Sequence, residues 1–124
     1  MELTIILFLF GGLFLGWSLG ANDAANVFGT AVGTRMISFK TAALVCSIFV
    51  VLGSVISGAG TTETIAKLGA INALPGAFAC CLAAGSSVYL MTKAGLPVST
   101  TQAIVGAIIG WNFFTSSKID YNVL

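Results

Sequence analysis

The sequence predicts an all-α integral membrane protein of about four membrane segments, with discontinuous or re-entrant helices among them. Three observations predict it. Of 124 residues 57% are hydrophobic, and the mean hydropathy is +1.04. Only 7% are charged, against about a quarter in an average soluble domain, so a water-facing surface cannot be built. The charges also punctuate the chain. Between Glu2 and Arg35 only Asp23 intervenes, and uncharged windows run from Lys40 to Glu63, Lys67 to Lys93 and Lys93 to Lys118. Each is long enough to cross a hydrocarbon core of about 30 Å, which takes about 20 helical residues.

Taken in order, the first segment covers about residues 3–33 and opens on the apolar run 3–19. A secretory signal peptide begins with a positive n-region. This run comes after Met1 and Glu2, so it is expected to stay in the mature protein. The second segment covers about 41–58, with Ser38 placed to cap its start. Residues 61–70 suit a short interfacial helix carrying Glu63 and Lys67 at i,i+4. The third segment, about 74–92, begins with Pro75-Gly76, which suits a first helical turn. The breaker Gly95-Leu96-Pro97 separates it from the fourth, about 98–114. The chain reads as a single membrane domain over 1–124. Glycines repeat at i+4 in Gly12, Gly16 and Gly20, in Gly29 and Gly33, and in Gly106 and Gly110, a spacing that lets membrane helices approach backbone to backbone.

Composition excludes several functions. Five Lys/Arg against four Asp/Glu give a net charge of +1, which offers no basic stripe for a nucleic acid backbone. The chain holds no histidine, so Ser-His-Asp and Cys-His chemistry and histidine-ligated metals cannot be assembled within it. Cys46, Cys80 and Cys81 form no C-x-x-C and lie in apolar runs. They read as small hydrophobes rather than as a disulfide or zinc framework. No nucleophile and base can be paired, so an enzyme is not expected.

Two places break the apolar pattern. The first is Gly20-Ala21-Asn22-Asp23-Ala24-Ala25-Asn26, continuing to Gly29 and Thr30. An ionisable side chain at the bilayer centre costs at least about 2.5 to 3.5 kcal/mol, which makes it a candidate functional site. On a helix Asn22 and Asn26 share a face with Gly29 and Gly33. That stripe of oxygen ligands suits a hard cation such as sodium, or a proton. Unwinding near Gly20 would add backbone carbonyls to the set. The alternative is that Asp23 lies in a loop and the asparagines satisfy helix ends.

The second place is Gly95-Leu96-Pro97-Val98-Ser99-Thr100-Thr101-Gln102. Three hydroxyls and free backbone N–H groups open an apolar helix at the positive end of its dipole, an anion site without a cationic side chain. Its alternative is a capping box between Ser99 and Gln102, which would merely satisfy the local backbone. A carboxylate in low dielectric repels an anion, so one shared pocket requires a cation or proton between them. Cation-coupled anion transport is the economical reading.

These two motifs, the first continuing as Gly29-Thr30-Ala31-Val32-Gly33 and the second as Ala103-Ile104-Val105-Gly106, make the chain similar to the inorganic phosphate transporter (PiT, or PHO4) family. The likeness extends over essentially the whole chain, as the amino-terminal repeat of that family. The resemblance implies a multi-pass symporter of the cell membrane that couples phosphate uptake to sodium or protons. It also implies that this chain is one half of an inverted-repeat transporter. By position, Asn22, Asp23 and Asn26 would belong to the cation site, with sodium there. Ser99, Thr100, Thr101 and Gln102 would contact phosphate. Gln102 stands where many members carry His, Val50 stands where some carry an acidic residue, and some relatives carry sulfate instead.

Family members hold both repeats in one chain, whereas one such motif occurs here. Three readings arise: a fragment, a half-transporter with a separate second half, or a homodimer of oppositely oriented copies. Four full crossings would place Arg35, Lys40 and Lys93 on one side and Lys67 and Lys118 on the other, a near-balanced bias. If the fourth segment is re-entrant, Lys118 changes side. A different class of function also stays open, that of a non-transporting assembly or regulatory fragment whose glycine faces mediate association.

Overall fold

A computed structural model describes residues 2–68 and 74–115. The described residues form four helices and no strand: α1 (Glu2–Gly33), α2 (Phe39–Leu68), α3 (Leu74–Lys93) and α4 (Thr100–Thr115). Three of them are long and apolar enough to cross a membrane, over Leu3–Gly33, Phe39–Gly60 and Leu74–Lys93. The 16 described residues of α4 reach only about 24 Å at 1.5 Å per residue, short of a hydrocarbon core of about 30 Å. Large side chains such as Phe10, Phe49, Val55 and Ile56 face outward, as suits a chain whose solvent is lipid.

Local chemistry sets the helix ends. Helix α1 closes with the N–H of Met36 on the Ala31 carbonyl at 2.9 Å and that of Arg35 on the Val32 carbonyl at 3.1 Å. Arg35 takes the left-handed conformation, at φ 60°, that this closing motif requires. Ser38 then caps α2, its Oγ accepting from the Thr41 N–H at 3.2 Å. Helix α3 ends in the same way as α1. The Leu96 N–H reaches the Met91 carbonyl and the Gly95 N–H reaches the Thr92 carbonyl, both at 3.0 Å. Here Gly95 supplies the positive φ of 72°, Pro97 comes two residues later, and Ser99 starts α4.

Two expectations about continuity are corrected. Helix α1 runs through Gly20 without unwinding, because Gly20 to Asn26 is a run of residues in which each N–H can still reach its own i−4 carbonyl. No separate interfacial helix begins at Thr61, because α2 is continuous to Leu68 and carries Glu63 and Lys67 on the same rod. Residues 69 and 70 lie outside the described residues. The chain break falls instead between α3 and α4, at residues 94–99.

Helix α3 packs most extensively on α1, then on α4, while α2 leans on α1 and α4 over short stretches. The glycines that permit this are not the ones in i+4 repeats. A Cβ on Gly85 would lie 2.9 Å from the Phe14 ring and 3.3 Å from the Leu15 backbone. One on Gly11 would meet Phe78 at 2.7 Å, and one on Gly76 would meet the Trp111 indole at 2.8 Å. By contrast Gly12, Gly16, Gly20, Gly29, Gly33, Gly106 and Gly110 have nothing within 4 Å of that position. The expectation that those repeats make the close contacts within the chain is therefore corrected. The buried face of α1 carries Gly11, Ser18 and Asn22, rotated away from the Gly12, Gly16 and Gly20 stripe.

Gly85→Ala is expected to destabilise the chain by about 1 to 3 kcal/mol through overpacking. Gly12→Ala is expected to be neutral or to stabilise by up to about 1 kcal/mol through helix propensity. Thermal melts of the two variants in one detergent would check the contrast.

Candidate functional site

The site forms where the α3–α4 tip meets the middle of α1. Asn22 is 3% exposed. Its Nδ2 donates to the Val98 carbonyl at 2.8 Å and to Asp23 Oδ1 at 3.1 Å. Its Oδ1 accepts from the Thr92 hydroxyl at 3.4 Å. The Thr100 hydroxyl donates to Asp23 Oδ2 at 3.3 Å. One carboxamide and one carboxylate on α1 thus hold the last turn of α3, the tip and the first turn of α4.

The physical need for this arrangement lies in the tip itself. A helix break leaves carbonyls and N–H groups that the helix itself no longer satisfies. Asn22 carries both a donor and an acceptor, so it can meet the Val98 carbonyl and the Thr92 hydroxyl at once.

The sequence-predicted residues divide into two groups. Asn22, Asp23 and Thr100 come together, although the first two are separated from the third by more than 70 residues. Asn26 is exposed one turn further along α1, because the tip ends at the level of Asn22. Ser99, Thr101 and Gln102 are exposed around the start of α4. Half of the capping arrangement is present, with the Gln102 N–H donating to Ser99 Oγ at 3.3 Å. An accepting hydroxyl keeps its own proton, so Ser99 can cap α4 and still donate to an oxyanion. Ser99 and Gln102 line an open cavity of about 360 Å³ together with Ser87, Met91 and Pro97. The Asp23 carboxylate does not line that cavity.

Sequence reasoning missed Thr92 and the Val98 carbonyl. Thr92 stands in the last turn of an apolar helix, where a threonine carries no distinguishing signal, and a backbone carbonyl carries none at all. It also missed Ser18 and Asn112, both 1% exposed. Ser18 bonds back to the Phe14 carbonyl at 3.0 Å, a local solution available to any helical serine.

Chemically, the Asp23 carboxylate supplies hard oxygen atoms, which suit sodium or a proton, while Asn22 turns its Nδ2 to Asp23 and its Oδ1 to Thr92. The N–H groups of Thr100 and Thr101 open α4, where a helix has no acceptors of its own. Among the described residues no cluster of three His, Cys, Asp or Glu side chains offers a metal site.

A bundle of apolar helices in which a carboxylate and a carboxamide clasp a helix break defines a helical membrane protein with a polar site at that break. Comparison with known proteins is specific about its kind. Residues 19–123 match the model of the phosphate transporter family, and the chain belongs to that family. It is 40% identical over 119 residues to a Pyrococcus abyssi protein named "Putative phosphate permease", a match covering 90% of this chain and 29% of that one. A protein of the same name from Pyrococcus horikoshii is 41% identical, with 86% of this chain and 28% of that one covered. A Plasmodium falciparum protein named "Sodium-dependent phosphate transporter" is 37% identical, with 84% and 17% covered. The chain spans less than a third of the length of these relatives. No solved structure matches it.

Asn22→Leu is expected to cost about 1 to 3 kcal/mol, because it strands the Val98 carbonyl and the Thr92 hydroxyl. Asn26→Leu is expected to cost less than about 0.5 kcal/mol. Equal losses in the two, measured by thermal unfolding in micelles, would remove Asn22 from this role.

Proposed function

We propose that the chain is one half of a cation-coupled inorganic phosphate transporter of the cell membrane. The observation that carries this reading is the Thr100–Asp23 hydrogen bond. It joins the carboxylate of the first motif to the helix start of the second, so a cation and an anion can be handled on adjoining atoms.

In this reading Asp23, with Asn22 and Asn26, supplies the oxygen ligands for sodium or a proton. Ser99, Thr100, Thr101 and Gln102 present hydroxyls, a carboxamide and the α4 N–H groups to phosphate. Electrostatics sets the order. Two unit charges about 5 Å apart repel by about 3 kcal/mol at an effective dielectric of about 20. The anion therefore binds well only after a cation has neutralised Asp23. A cation at Asp23 also competes with the Thr100 hydroxyl for Oδ2, which links occupancy to the seating of α4. The name of the Plasmodium relative favours sodium as the coupling ion.

The other half is a second repeat or another copy of this chain. Supporting a further membrane partner are the length of the relatives, more than three times that of this chain, and the two glycine stripes, Gly12-Gly16-Gly20 and Gly106-Gly110, which have nothing within 4 Å of a Cβ position. Small-residue faces of this kind are where membrane helices meet.

Asp23→Asn is expected to abolish ion-driven phosphate uptake while leaving insertion intact, because it removes the charge without changing shape. Ser99→Ala combined with Thr100→Val is expected to weaken phosphate binding more than stability. Both are read by labelled phosphate uptake into proteoliposomes, with sodium and proton gradients varied separately and sulfate as competitor. Undiminished coupled uptake in Asp23→Asn would refute the cation assignment.

A further inference from the structure

The open cavity beside the tip has three polar side chains in its lining, Ser87, Ser99 and Gln102. Ser99 and Gln102 belong to the motif that begins α4, but Ser87 comes from α3. It stands one turn before Met91, so the two share the face of α3 that walls the cavity. A single serine in an apolar helix carries no signal in the sequence.

The three side chains differ in what they can offer. Ser99 Oγ accepts from the Gln102 N–H at 3.3 Å, which leaves its own proton free to donate. The Gln102 carboxamide holds both a donor and an acceptor and can turn either way. Ser87 is the reverse of Ser99. Its Oγ donates to the Ala83 carbonyl at 2.9 Å, so its proton is committed to its own helix and its lone pairs remain to accept. A hydroxyl that donates, at the start of α4, and a hydroxyl that accepts, on α3, therefore line one space of about 360 Å³.

Tetrahedral oxyanions differ in whether they can use such a pair. Near neutral pH phosphate keeps at least one proton, so its P–OH can donate while its other oxygens accept. Sulfate is fully ionised and can only accept. The two are close in size and shape, which leaves that proton as the chemical difference a small polar site can read. A site that hydrogen-bonds a substrate hydroxyl discriminates against an analogue that lacks it. An unprotonated oxyanion set against the Ser87 lone pairs is repelled unless Ser87 gives up its bond to Ala83.

We propose that Ser87 is a specificity-determining residue, whose hydroxyl oxygen accepts the P–OH hydrogen of phosphate and so favours phosphate over sulfate. This rests on the reading that phosphate binds at Ser99 and Gln102, and adds to it a residue from α3 and a reason for the choice of anion.

The test uses the chain in nanodiscs with sodium present, in mildly alkaline buffer, where hydrogen phosphate, monofluorophosphate and sulfate are all dianions and only the first has a proton to donate. Binding of labelled phosphate is measured by equilibrium dialysis, with each of the three unlabelled anions as competitor, for the parent, Ser87→Ala and Ser87→Thr. The parent is expected to prefer hydrogen phosphate over both other anions by at least about fivefold, the worth of one hydrogen bond. Ser87→Ala is expected to bring each preference below about twofold, through weaker phosphate binding and not through stronger sulfate binding, with an unchanged melting temperature. Ser87→Thr keeps the hydroxyl and is expected to restore the preference. A parent without the preference, or a Ser87→Ala variant that retains it, overturns the proposal and leaves phosphate binding at this site standing. A parent that binds none of the three anions overturns that reading, and this proposal with it.

Discussion

The structure depends on how a helix break is satisfied within a helical bundle. Ending α3 and starting α4 within the bundle leaves backbone groups that a continuous helix would have paired internally. The local chain meets part of that demand through the Gly95 closing motif and the Ser99 cap. The rest falls on Asn22, whose carboxamide bonds the Val98 carbonyl and accepts from Thr92. That single side chain sets the level of the tip along α1, and the level of the tip decides which polar residues meet.

The packing is a consequence of that clasp. With Asn22 turned into the bundle, the face of α1 carrying Gly11 and Ser18 turns inward as well. Gly11 and Gly85 then sit where a side chain would collide with the facing helix. The repeated glycines are left on outer surfaces. The chain spends its close contacts on single glycines and leaves its glycine stripes open, the faces that the proposed second repeat or copy would cover.

The same clasp couples the two motifs. Asp23 is bonded on one oxygen by Asn22 and on the other by Thr100. Whatever changes the charge or ligands of Asp23 acts directly on the start of α4.

Membrane class, the starts of α2 and α4, the break after α3 and both polar motifs were legible in the residues, because each is decided by chemistry within a few positions. Scarce charges set the solvent, Ser38 and Ser99 cap the starts of α2 and α4, and Gly95-Leu96-Pro97 breaks the helix. A glycine repeat and a conspicuous Asn22–Asn26 pair, by contrast, suggested contacts that the fold did not make. Periodicity shows which residues share a face but not which face a neighbouring helix will cover. Only the register of α3 and α4 against α1 could choose Asn22 over Asn26, or bury Asn112. That register is set by the summed packing of helices far apart in sequence, which no local pattern encodes.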